Sequence, residues 1–316
     1  MKHQSKPIFI ISRFLVFVLL FTHSTISVVK AQEVEDERDF DYVEGSKKGP
    51  AYWGEIKKEW AACKHGGMQS PIDLPGKSFQ ILPSLVELKR TYKPSNATLK
   101  NRGHDIKLEW AGNAGSIEIS GIQYFLKQSH WHSPSEHSIN GKRYDMELHM
   151  VYQSMDPKVE SNTAVVGVLY QIGRPDAFLS KLARDIASMT DKKTERSIGV
   201  IDPAEIVELD GKNYYRYIGS LTIPPCTEGV IWIMSKQLGT VSREQIDLLR
   251  LSVYDYAEMN ARPLQPLNQH EFDYKEGSEK GPEHWGELKK EWARCKDGKF
   301  QSPIGLSDDH VTKVTP

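Results

Sequence analysis

Between residues 79 and 122 short apolar segments alternate with Gly, Asn and Pro breaks, the pattern of a twisted sheet rather than of a helical bundle. Ile106, Leu108 and Trp110 fall on every second position, which predicts a strand with one buried face. Residues Thr163 to Ile172, TAVVGVLYQI, form a continuous apolar run, as expected of a central strand covered on both faces. Two stretches change period. Asp176 to Met189 sets Phe178, Leu182, Ile186 and Met189 at helical spacing, and Ser242 with Gln245 reads as a capping box ahead of Ile246, Leu249 and Val253. These two helices are cover for a sheet.

One segment breaks the apolar alternation with chemistry. Phe125 to Tyr152, FLKQSHWHSPSEHSINGKRYDMELHMVY, holds His130 and His132 two apart, then Asn140-Gly141, then Glu147 and His149 two apart. Successive strand side chains point to opposite faces, so the first two imidazoles share a face and Trp131 takes the other. Asn-Gly is the strongest short hairpin signal and predicts that Tyr144 to Tyr152 returns antiparallel to the first strand. A single strand histidine is usually a satisfied polar residue. HxH, a turn and ExH together instead place His130, His132 and His149 around one Zn²⁺, with water in the fourth position. Gln128 and Glu147 are spaced to accept the second N–H of these rings.

Those residues carry a resemblance. Gln128-Ser-His-Trp-His132, Ser135-Glu136-His137 and Glu147-Leu-His-Met-Val151 resemble the signature of the α-class carbonic anhydrases. Gln69-Ser-Pro-Ile72, Asn101-Arg-Gly-His104, Ser220-Leu-Thr-Ile-Pro-Pro225 and Asn260-Ala-Arg-Pro263 follow in the family's order, over roughly Asp39 to Asn268. The resemblance implies one mainly β domain built on a large, twisted, mostly antiparallel sheet with a few covering helices. It implies reversible hydration of CO₂ to bicarbonate and a proton, by attack of hydroxide held on zinc. It makes His104 the proton relay on the site wall, a task that suits an imidazole of ordinary pKa about 6.5. Glu136 would accept the Thr222 hydroxyl hydrogen, so that Thr222 accepts one from hydroxide. Val151, Val165, Leu221, Thr222, Val230 and Trp232 would line the substrate pocket, with Asn260 and Arg262 bracing the loops beneath. Tyr42 matches loosely a tyrosine that bonds the threonine. A second threonine is common after the first, and Ile223 stands there. The resemblance to secreted members also implies a Cys63–Cys226 disulfide, the alternative being two buried thiols.

The ends of the chain add context. Residues 1–31 read as a secretory leader, with Lys2, Lys6 and Arg13 around an apolar run from Ile8 to Phe21 that is shorter than a membrane span. An acidic junction follows at 32–39 and the domain occupies 40–270. Behind a leader, Asn96-Ala-Thr98 is a glycosylation sequon. With the leader the chain most resembles plant members, some of which reach the chloroplast through the secretory route, so extracellular and plastid locations both stay open. Residues 271–316 hold a copy: Phe272 to Leu306 repeats Phe40 to Leu74 at 25 of 35 positions, without HxH or ExH. It reads as the truncated start of a second domain, with Cys295 copying Cys63 and able to compete for Cys226. The formal net charge of −1 argues against a nucleic-acid footprint or a polybasic membrane surface. The expected partner is small, CO₂ or bicarbonate, on a monomer or a dimer made through the tail. The rival class is a protein that keeps the fold for storage or binding.

Overall fold

The computed structural model describes residues 33, 39–74, 88–159, 161–190, 194–207, 213–253, 259–266, 283–288 and 292–298. The proposed leader, most of the acidic junction and most of the repeat lie outside the described residues.

An eleven-stranded mixed sheet carries the domain. Along its main path the order is Glu195–Ile201, Ser95–Asn101, Ile106–Trp110, Ile122–His132, Met146–Gln153, Thr163–Ile172, Glu228–Ser235 and Tyr214–Ser220. Pairing is antiparallel except where Thr163–Ile172 runs parallel to Glu228–Ser235 and to Gly239–Val241. Thr163–Ile172 is buried from Thr163 to Tyr170, because it lies inside the sheet with both faces covered. Each fully covered Val, Leu or Tyr on such a strand contributes about 1.5–3 kcal/mol of transfer free energy.

The helices are where the spacing put them. Ala177–Ala187 starts at Asp176, whose carboxylate accepts from Leu179 N, and buries Phe178, Leu182 and Ile186. Arg243–Ser252 starts with the Ser242/Gln245 capping box and buries Ile246 and Leu249. Both pack on the face of the sheet that carries Trp131, whose ring stacks on Phe178 at 6.5 Å.

The hairpin differs from expectation. The ligand strands Ile122–His132 and Met146–Gln153 pair antiparallel as the sequence suggested. The Asn140-Gly141 turn, however, joins two separate two-residue strands, Ser138–Ile139 and Lys142–Arg143, which form a small sheet with Asp73–Leu74. Both turn residues have positive φ, 52° and 75°, so the turn closes only a tight hairpin, and the 13 residues between the ligand strands are organised by this smaller sheet.

Phe40, Tyr42, Trp53, Trp60 and Cys63 form a separate apolar cluster with Ile223 and Cys226. Ile223 is thus packing for the N-terminal cover. The Cys63–Cys226 disulfide is formed, with Cα atoms 5.0 Å apart across 163 residues of sequence.

Candidate metal centre

The two ligand strands bring His130 directly opposite His149, and His132 opposite Glu147. His130, His132 and His149 are all buried, with ring centroids 4.6–5.1 Å apart. Each ring is gripped by one nitrogen. His130 Nδ1 lies 2.8 Å from Gln128 Oε1, His132 Nδ1 lies 2.7 Å from the Asn260 carbonyl, and His149 Nε2 lies 2.7 Å from Glu147 Oε1. All three partners are acceptors, so these nitrogens carry the protons.

The consequence lies on the inner side. His130 Nε2, His132 Nε2 and His149 Nδ1 are left with bare lone pairs in a buried space. His130 Nε2 and His149 Nδ1 face each other at 3.3 Å, and His132 Nε2 has no hydrogen-bond partner among the described residues. Two lone pairs held together without a proton are repulsive unless a cation sits between them. Two nitrogens bound to one tetrahedral Zn²⁺ at 2.0–2.1 Å are about 3.3–3.4 Å apart, so the set fits zinc in donor type and in spacing. His137, Glu147 and His149 form a second group of compatible donors, but Glu147 Oε1 is occupied there by hydrogen bonds to both rings.

Electrostatics favour a neutral ring at His130 and pull the other way at His132. Burial holds His130 well below its ordinary pKa. Burial also pulls His132 down, but the Glu136 carboxylate, 3.6 Å from its Nε2, and the Asn260 carbonyl outweigh it and raise the ring. Burial would raise Glu147, yet His137 and His149 keep its carboxyl well below the usual range. Glu147 also accepts from the backbone N–H groups of Glu136 and His137 at 2.8 Å. His137 Nε2 continues the network to the Tyr217 hydroxyl at 2.6 Å.

The other expected site residues fall around this centre. Val151, Val165, Leu221, Val230 and Trp232 share one apolar cluster, Val165 being the cross-strand neighbour of both Val151 and Trp232. The Trp232 ring lies 4.9 Å from His149, with its N–H on the Ser220 carbonyl. Glu136 and Thr222 are both buried, but the hydrogen bond expected between them is not formed. Glu136 Oε1 accepts from Arg262 N at 2.9 Å, while Oε2 makes no hydrogen bond and faces His132. Tyr42 sits in the cover, edge-on to Trp53 and 6.4 Å from the His104 ring. Asn96 is exposed on the strand Ser95–Asn101, so its side chain is accessible to modification.

His104 departs most from expectation. It is fully buried, with Phe40 at 5.1 Å from its ring, and neither ring nitrogen has a hydrogen bond among the described residues. Burial drives its pKa down to about 4, whereas a wall-facing relay titrates near neutrality. The cause is the closure of the Phe40–Tyr42 cover against the ring.

Arg262 is the link between cover and centre. Its guanidinium donates to the carbonyls of Cys63 and Ser70 and to Gln69 Oε1 at 2.7–2.9 Å, while its backbone N–H holds Glu136. Residues without a sequence signal also converge here. Glu33 Oε2 lies 2.6 Å from Arg102 and 3.2 Å from Gln128 Nε2, and Arg102 forks onto Asp105.

A family model for eukaryotic-type carbonic anhydrases matches residues 48–275. The chain belongs to that family. It is 53% identical over 258 residues to carbonic anhydrase Nec1 of Nesocodon mauritianus, covering 81% of this chain and 92% of that one. It is 48% identical to alpha carbonic anhydrase 7 of Arabidopsis thaliana, over 80% and 92% of the two chains. Dioscorin DB3L of Dioscorea polystachya is 46% identical, over 73% and 84%. Among solved structures, a dioscorin complexed with ascorbate superposes with a TM-score of 0.69 at 44% identity, over 73% and 95%. An alpha-carbonic anhydrase from Thermovibrio ammonificans with sulfanilamide gives 0.64 at 35%, over 73% and 96%. This carbonic anhydrase fold therefore occurs among its relatives under both enzyme and dioscorin names.

Proposed function

We propose that this carbonic anhydrase family member hydrates CO₂ reversibly to bicarbonate and a proton, with His130, His132 and His149 holding Zn²⁺. The observation that carries the reading is the trio of inward lone pairs, each fixed by an acceptor on the ring's far nitrogen. Zinc would supply a water acidic enough to provide hydroxide near neutral pH.

The chain's own residues do the rest. Gln128, Glu147 and the Asn260 carbonyl fix ring tautomer and direction. The apolar wall of Val151, Val165, Leu221, Val230 and Trp232 accepts an uncharged linear substrate and excludes competing water. Glu136, anchored by Arg262 N, keeps one oxygen ready for the Thr222 hydroxyl, and that bond would turn the Thr222 lone pairs toward an incoming O–H. His104 would carry the proton once water reaches its ring, since a walled-off imidazole with a pKa of about 4 exchanges none near neutrality. Tyr42, packed beside it, would steady that region rather than touch substrate. We also place the mature chain, after loss of residues 1–31, in the secretory route, outside the cell or in the plastid, with a sugar on Asn96. Among the described residues no helix is long and apolar enough to cross a membrane.

Zinc content and CO₂ hydration should be measured together on the chain from Gln32, with and without residues 272–316. One zinc per chain with hydration that sulfonamides inhibit is the expected result. His149→Ala should abolish tight zinc binding, and Glu147→Gln should weaken it about 10–100-fold. A chain that binds zinc without hydrating CO₂ would instead support the second reading, a storage or binding protein, which the dioscorin relatives and Ile223 favour.

A further inference from the structure

Arg102 is a buried cation, 2% exposed, at the edge of the histidine centre. Its Nε and one terminal nitrogen fork onto the Asp105 carboxylate, which fixes the plane of the guanidinium. That plane directs the other terminal nitrogen, NH1, toward the side where Gln128 stands. Gln128 is fixed independently. Its Oε1 is committed to His130 Nδ1, so its amide nitrogen must point away from the ligand. Two donors, one from the turn after Ser95–Asn101 and one from the strand Ile122–His132, each oriented by a partner of its own, therefore converge on one position.

A single carboxylate oxygen occupies that position, Glu33 Oε2, at 2.6 Å from Arg102 and 3.2 Å from Gln128. Its side chain is only 13% exposed. Burial alone would raise the Glu33 carboxyl, but the Arg102 guanidinium beside it holds it down at about 2, so it is an anion there. Glu33 precedes both the residues matched by the family model, which begin at 48, and the first strand of the sheet. The oriented donors belong to the sheet and its connections, whereas the anion comes from the segment of chain before the first strand.

We infer that Arg102 NH1 and Gln128 Nε2 form a carboxylate-binding subsite beside the histidine centre, and that Glu33 is its tethered occupant. The ligand class is a small monoanion with a carboxylate-type oxygen, either an organic acid or bicarbonate. A free ligand must displace Glu33, whose tether gives it a high effective concentration. The inference does not depend on the hydration reading, because neither of its two donors, Arg102 NH1 and Gln128 Nε2, would be a ligand of the metal.

Acetate and bicarbonate, each ¹³C-labelled, would be titrated by NMR against the full chain in zinc-free and zinc-loaded form. Glu33→Gln removes the competing charge while keeping side-chain size, and it should tighten acetate binding about tenfold in both forms. In the double variant that adds Arg102→Lys, which keeps the positive charge facing Asp105 but loses the planar fork, the gain should disappear. A gain for acetate alone assigns the subsite to organic acids, and a gain for both assigns it to any carboxylate-type anion. Equal affinity in the wild type and Glu33→Gln would overturn the inference. So would a gain that appears only with zinc or survives in the double variant. The zinc-free arm has no turnover, so failure of the hydration reading would leave this result legible.

Discussion

The chain carries one passage twice, and the two copies meet different fates. In the first, the helical turns Trp53–Ile56 and Ala62–His65 pack together, Gly54 lies against Lys64 Cβ, and Lys64 pairs with Glu55. In the second, Trp285–Leu288 and Arg294–Asp297 repeat this arrangement, with Gly286 against Lys296 and Lys296 paired with Glu287. The local sequence alone therefore sets the helical pair. Burial is another matter. Trp53 and Trp60 are 0% and 3% exposed, whereas Trp285 and Trp292 are half-buried. Cys63 is bonded to Cys226, and Cys295 is free and exposed. What the first copy has, and no local sequence supplies, is Arg262 on its carbonyls and a cysteine from a distant loop.

The contrast can be broken most strongly at the bridge. Cys226→Ser should cost about 4 kcal/mol in urea unfolding, since the bridge closes a long loop, whereas Cys295→Ser should leave the midpoint unchanged. Next, Trp53→Ala should cost about 3–5 kcal/mol and Trp285→Ala less than about 0.5 kcal/mol. Similar losses for the two tryptophans would show that the copy docks as tightly as the original.

A smaller effect belongs to the first copy's side alone. His104, under Phe40, is neutral in the folded state and resists protonation down to about 4, while the unfolded chain takes a proton near 6.5. Stability from this group is therefore complete above about pH 6.5 and falls as pH drops toward 4, by about 2 kcal/mol at pH 5. Urea midpoints at pH 7.5 and pH 5 should show the decline in the wild type and in a chain lacking residues 272–316, and a shallower one in His104→Gln. Smallest of all, Glu55→Gln and Glu287→Gln should shift neither midpoint measurably, because both pairs are solvent-exposed.

The parts of the centre that could be read in the sequence are those governed by the strand period. HxH and ExH each fix a shared face at a separation of two, and cross-strand pairing then brings His130 and His149 opposite each other. The third acceptor, on His132, is a backbone carbonyl, which no side-chain pattern announces. Asn140-Gly141 was a true turn signal, but its strands were too short to be the ligand strands. The burial of His104 depends on Phe40, 64 residues earlier, and Glu33 meets Arg102 across 69 residues. Contacts at that separation leave no periodicity to detect. The Glu136–Thr222 bond came from resemblance alone, and the carboxylate turns toward His132 instead.

The position of the bridge also has a temporal meaning. A growing chain presents Cys63 first, Cys226 only 163 residues later and Cys295 another 69 residues after that. At about 5–20 residues per second, Cys226 is alone with Cys63 for roughly 3–14 s before its rival exists. Birth order at the ribosome thus favours the native pairing of a chain that encodes two equivalent claimants, and a synthesis pause between residues 226 and 295 would strengthen that bias.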